Sequence, residues 1–98
     1  MTNEIRRSVA RKVTEHTLLA ATITLDCYGG RKCAIPFLQE DLHELKQLEP
    51  SPLVAAAIEM TEIGLVHAHE PTEATYDKAR IARDKLGALM IRVKEIAG

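Results

Sequence analysis

Aromatic residues are nearly absent from this 98-residue chain, which has no tryptophan, two tyrosines and one phenylalanine. The core must therefore consist of Leu, Ile, Val, Met and Ala, since 46% of the residues are hydrophobic. An alanine-rich aliphatic core suits closely packed helices better than a β-sandwich, whose strands favour aromatic and β-branched residues. The composition predicts a mainly α fold, and it provides no aromatic platform on which nucleic-acid bases could stack.

Cysteine is also scarce, because Cys27 and Cys33 are the only two in the chain. Two cysteines do not make a disulfide framework, and their spacing differs from the CxxC pattern of a zinc site. No apolar run is long enough to span a membrane. The threonine-interrupted run 17–25 is not followed by the cleavage site of a signal peptide. These absences predict a cytoplasmic protein with reduced thiols, no membrane partner and no cofactor.

The chain length predicts a single helical domain over residues 1–98, and a core this small is commonly supplemented by oligomerisation. The net charge of −1 conceals a pattern along the chain. Residues 1–36 carry six basic and three acidic side chains, residues 37–76 one and eight, and residues 77–98 six and three. Either the pattern reflects solubility alone, or the two basic ends pack on the acidic middle.

A first helix over about 3–20 is predicted from apolar residues at every fourth position. A β-hairpin over about 21–37 is predicted to follow it, because T-I-T-L-D-C-Y alternates apolar and polar residues before Gly29-Gly30, which suits a tight turn. A three-residue loop would place Cys27 opposite Cys33, either as buried apolar side chains or as a cross-strand disulfide. Pro36 is expected to end the second strand.

Two helices are predicted in the acidic middle of the chain. The first covers about Leu38–Leu48, with leucines at 38, 42 and 45 in its apolar stripe and Asp41 facing outward. The second starts after Ser51, a favoured N-cap, with Pro52 in its first turn, and runs to about Val66. Residues 67–71 are expected to form a connector.

The last helix, about Glu73–Ala97, has the clearest apolar pattern, with spacings of three and four residues as in a coiled-coil seam. Basic Lys78, Lys85 and Arg92 flank the seam, so parallel pairing with a second copy is unfavourable and an acidic neighbour is expected. Apolar residues off the seam predict a second contact surface. The seam consists of Ala79, Ala82, Leu86, Leu89, Val93 and Ile96. The predicted interaction surface comprises Ile81, Leu86, Leu89, Met90, Ile91, Val93 and Ile96.

No catalytic or cofactor-binding motif is apparent, so the sequence predicts a protein that is not an enzyme. His67, His69 and Glu70 are weak candidates for metal ligands, since imidazoles two residues apart can both bind a metal from an extended segment. A third protein ligand would have to come from elsewhere in the chain. A solvated connector between helices is the preferred interpretation of these residues.

The first helix is basic through Arg6, Arg7, Arg11 and Lys12. These residues would contact nucleic acid if the first and last helices formed one basic face. The acidic middle and the net charge of −1 oppose that function.

By elimination, the sequence predicts a small non-enzymatic regulatory or adaptor protein that acts through protein–protein contacts as a homodimer. An anti-activator, a chaperone-like protein or an inhibitor would fit this description. The alternative is a small dimeric nucleic-acid-binding regulator that uses the basic residues of its first and last helices. A third candidate is an accessory subunit or a metal-dependent enzyme.

Overall fold

Four helices make up most of the described chain, and the described residues contain no strand. The computed structural model describes residues 9–19, 31–70 and 72–97, with side chains over 9–19, 35–70 and 72–91. The fold is mainly α. The helices are α1 over 9–19, α2 over Arg31–Lys46, α3 over Pro52–His69 and α4 over Glu73–Ala97.

The predicted β-hairpin is wrong, because α2 begins at Arg31 and includes the stretch assigned to the second strand. Pro36 lies inside this helix and donates no backbone hydrogen bond, yet the loss is confined to one bond near the helix start. Leu38, Asp41 and Leu45, further along the same helix, are buried and fix it in the tertiary structure, whereas an isolated hairpin is only marginally stable. The predicted first strand, the Gly29-Gly30 turn and the Cys27–Cys33 pairing lie outside the described residues and side chains.

The start of α3 confirms the prediction made from Ser51 and Pro52. The Ser51 hydroxyl accepts a hydrogen bond from the Val54 N–H at 3.1 Å, and Pro52 occupies the first turn. The start of α4 is likewise capped, since the Thr72 hydroxyl accepts from the Thr75 N–H at 3.1 Å. Both caps satisfy amide groups that would otherwise lack a helical partner.

The end of α3 differs from the prediction, because the helix continues through His69 and residues 67–69 are not a connector. His67 and Ala68 are each 3% exposed, so this last turn is packed rather than solvated. Burial of these two side chains stabilises the extra turn, and local sequence signals do not reveal this packing.

The core is aliphatic, as the composition predicts, and it is centred on α3, which packs against both α2 and α4. From α1, Val13 and Leu18 pack against it as partly buried side chains. A smaller contact joins Leu38 of α2 to Leu65 of α3. The main cluster consists of Leu45, Leu53, Ala56, Ala57, Met60, Ala79, Ala82, Leu86 and Met90.

Three threonines are completely buried in helix interiors: Thr14 and Thr17 in α1 and Thr61 in α3. Each hydroxyl donates to the backbone carbonyl one turn earlier, at 2.6–2.9 Å. In the described part of the chain no buried side-chain nitrogen or oxygen lacks a partner. Buried threonines that bond to their own helix can therefore fill the core without leaving unsatisfied polar groups.

Candidate interaction surfaces

The inner face of α4 is occupied by packing within the same chain. Its buried residues, Ala79, Ala82, Leu86 and Met90, follow spacings of three, four and four. That progression is closer to the period of a straight helix than to the seven-residue repeat of a coiled coil. Met90, predicted off the seam, is therefore buried in the core, whereas Leu89 is only partly buried.

The charge pattern correctly predicts the neighbour of α4 as a helix of the acidic middle, since α4 packs along α3. An ion pair joins them at the surface, with Lys85 Nζ 3.5 Å from Glu59 Oε2. Both side chains are more than half exposed, so the pair contributes only about 0–1 kcal/mol. The ion pair favours α3 as the neighbour of α4 but contributes little to the stability of the fold.

The outer face of α4, defined here as Ile81, Ala88 and Ile91, lies opposite the core. Ile81 and Ile91 are each 60% exposed, and Ala88 between them is exposed as well. At about 100° per residue, the three positions fall within roughly 80° of each other around the helix. Asp84, whose side chain is 63% exposed, lies on the same arc between Ile81 and Ala88. The outer face is thus an apolar strip interrupted by one carboxylate, and no described residue of the chain covers it.

The structure divides the predicted interaction surface into three parts. Leu86 and Met90 belong to the core of the same chain, so their assignment to an intermolecular surface is wrong. Ile81 and Ile91 are exposed, and Leu89 lies between these extremes. The side chains of Val93 and Ile96 lie outside the described part of α4.

A polar cluster that the sequence did not reveal lies between α1 and α2. Asp41, expected to face outward, has a side chain only 2% exposed, and its Oδ1 atom lies 2.9 Å from His16 Nδ1. Its Oδ2 atom lies 3.2 Å from Thr17 Oγ1, whose single proton is shared between this oxygen and the Val13 carbonyl at 2.9 Å. The Phe37 ring meets the His16 ring edge to face, with centroids 5.8 Å apart.

Asp41 occupies a position in the buried stripe of α2 that an apolar residue would normally fill. Leu38, Asp41 and Leu45 follow a three-then-four spacing, and all three are buried. Leu42, which the prediction placed in the stripe, is only partly buried. This periodicity is the one sequence signal for the inward carboxylate, but the polarity of Asp favours the opposite interpretation.

The weak metal candidates do not form a cluster around one point. His67 is buried, its Nδ1 atom lies 2.9 Å from Thr75 Oγ1, and its ring packs edge-on against Tyr76. His69 and Glu70 are exposed at the end of α3. Among the described residues no group of three or more His, Cys, Asp or Glu side chains is arranged to hold a metal ion.

The basic residues proposed to contact nucleic acid are only partly described. Arg6 and Arg7 lie outside the described residues. Arg11 Nε is 3.6 Å from Glu15 Oε1 one turn later, and Lys12 is exposed. The Arg11 charge is therefore partly balanced within its own helix.

Comparison of the chain with known proteins finds no match among family models, curated proteins or solved structures. In the part of the chain that the structure describes, no helix combines the length and apolarity needed to cross a membrane. The exposed outer face of α4 and the polar cluster between α1 and α2 are the candidate functional features of the described residues.

Proposed function

We propose that the protein is a small non-enzymatic regulator or adaptor that acts through protein–protein contacts in the cytoplasm, as a homodimer. The observation that carries the proposal is the outer face of α4, where Ile81 and Ile91 are each 60% exposed opposite the core. The small side chain of Ala88 lies between them and lets a second helix approach closely. Single exposed apolar residues are common, but an aligned set supports a contact surface.

The size of the strip indicates a weak or regulated contact. Covering the exposed part of one isoleucine contributes about 1–2 kcal/mol. A twofold interface uses each residue twice, so Ile81 and Ile91 would together contribute about 4–8 kcal/mol. Association itself costs an estimated 4–15 kcal/mol. The two isoleucines would therefore anchor the interface, while further surface around them completes it.

Ion pairs within the chain favour protein contacts over nucleic-acid contacts on the same helices. Arg80 Nη1 lies 4.0 Å from Asp84 Oδ2, and Lys85 lies close to Glu59. A phosphate backbone would have to compete with these carboxylates for the cations of α4. A protein partner could instead use the mixture of charges as a polar rim around the apolar strip.

Sedimentation velocity over a range of protein concentrations tests this proposal. We expect the unmodified chain to dimerise and Ile81→Asp to shift it to monomer, because the carboxylate would be buried at the contact. Val66→Asp is the matched control, since Val66 is 57% exposed on α3 rather than on α4. Circular dichroism of both variants checks that the helices remain folded.

A chain that stays monomeric at every concentration would exclude the homodimer. Equal weakening by Ile81→Asp and Val66→Asp would show that the outer face of α4 is not the contact. Binding to a random DNA duplex, measured against salt in the same experiments, would instead support the nucleic-acid alternative if it weakened steeply and was lost in Arg11→Ala.

A further inference from the structure

We propose that His16 is a phosphorylation site, and that its Nε2 atom accepts a phosphoryl group from a donor containing a P–N bond. Simple phosphoramidate is the smallest donor of this class, and phosphohistidine in another protein belongs to the same class. The proposal is independent of the outer face of α4, since His16 lies on α1.

Asp41 determines which nitrogen of His16 can react. An ionised carboxylate only accepts hydrogen bonds, so the 2.9 Å contact requires that Nδ1 carries the proton and donates it to Asp41 Oδ1. The lone pair of the neutral ring is then on Nε2. The side chain of His16 is 48% exposed, and Nε2 has no hydrogen-bond partner among the described residues. The polar cluster therefore presents an oriented, accessible nucleophile.

The other three histidines lack this combination of features. His67 is buried and bonded to Thr75. Nε2 of His43 is engaged with Nε2 of Gln47 at 2.9 Å. His69 is exposed, and it has no carboxylate partner among the described residues. Among the described contacts, only those of His16 combine a buried carboxylate on one ring nitrogen with an accessible second nitrogen.

The surroundings of His16 suit an anionic group delivered by another protein. Lys12 lies one turn earlier on α1, is exposed, and has no acidic partner among the described residues. Residues four apart share a helix face, so its ammonium group can approach the phosphoryl oxygens. Leu19, three residues later on α1, is 59% exposed, and Phe37, whose ring meets the His16 ring, is 51% exposed. They provide apolar surface on which a donor protein could dock.

The transfer balances without a further reactant. The Nε2 lone pair attacks phosphorus, the P–N bond of zwitterionic phosphoramidate breaks, and its nitrogen leaves with the bonding pair as ammonia. The His16 ring then carries a phosphoryl group on Nε2 and its original proton on Nδ1, with one positive charge. Asp41 is the positioning residue, because its carboxylate both orients the ring and stabilises this charge.

The test is incubation of the folded protein with excess potassium phosphoramidate, followed by mass spectrometry of its peptides over time. We expect His16 to be labelled roughly tenfold to a hundredfold faster than His43 and His69, the range that a hydrogen bond to a charged group can supply. In protein unfolded with urea, the three rates should become similar. Two-dimensional NMR should place the phosphoryl group on Nε2 only.

Variants at Asp41 separate a positioning role from a purely structural one. Asp41→Asn should slow labelling of His16, and Asp41→Ala should free Nδ1 and give a mixture of Nδ1 and Nε2 products. Circular dichroism of each variant establishes that it is folded. If His43 or His69 is labelled as fast as His16 in the folded protein, the proposal is overturned. Unchanged labelling rate and position in folded Asp41→Ala would also overturn it, whatever the oligomeric state.

Discussion

Removing His16 should destabilise the fold more than its partial exposure suggests. In His16→Ala, the carboxylate of Asp41 stays buried but loses the hydrogen bond from the His16 ring, and it keeps the contact with the Thr17 hydroxyl. A hydrogen bond to a charged group contributes about 1.5–3 kcal/mol. Alanine regains about 0.5 kcal/mol through its higher helix propensity. The expected net loss is about 1–2.5 kcal/mol, and Tm should fall by roughly 4–20 °C.

A double-mutant cycle with Asp41→Asn assigns this loss to the contact between the two side chains. Asparagine keeps the shape of Asp41 without its charge, so His16→Ala should cost about 1 kcal/mol less in the Asn background. Urea unfolding followed by circular dichroism measures all four free energies of unfolding. His43→Ala is the control, because His43 is exposed on α2 and bonded only to Gln47 among the described residues. Additive effects of His16→Ala and Asp41→Asn, or a loss as small as that of His43→Ala, would refute the reasoning.

Three further substitutions test the packing of α3 and α4. Gly87→Ala should stabilise the protein by about 0.5–1 kcal/mol, because Gly87 lies inside α4 and a Cβ there would meet nothing within 4 Å; a lower Tm would contradict this. Leu86→Ala should lower the free energy of unfolding in urea by about 2–5 kcal/mol, since Leu86 is fully buried. A loss below about 1 kcal/mol would show that Leu86 is not in the core. Ser51→Ala should lower the free energy of unfolding by about 1 kcal/mol, because the hydrogen bond from the Val54 N–H is lost. If Ser51→Asp, which can also cap the helix, keeps the original stability, capping is the cause.

Local chemistry in the sequence determined the elements whose ends carry their own signals. Ser51 with Pro52 predicted the start of α3, because an N-cap hydrogen bond spans only three residues. The helical, aliphatic character of the core followed from composition. Ile81 and Ile91, which lie off the apolar seam, are exposed, but Met90, also off the seam, is buried.

Only the tertiary structure decided the remaining features, because each depends on what a distant segment covers. Residues 31–37 are helical although the sequence predicted a second strand ending at Pro36, since they continue into the helix that packs on α3. The buried face of α4 follows the period of a straight helix, so Met90 is buried in place of Leu89. This period differs from that of a seven-residue repeat by only a fraction of a residue per turn. The polar cluster could not be predicted from α2 alone, because Asp41 can be buried only where its two oxygens meet His16 and Thr17, which lie 25 and 24 residues away.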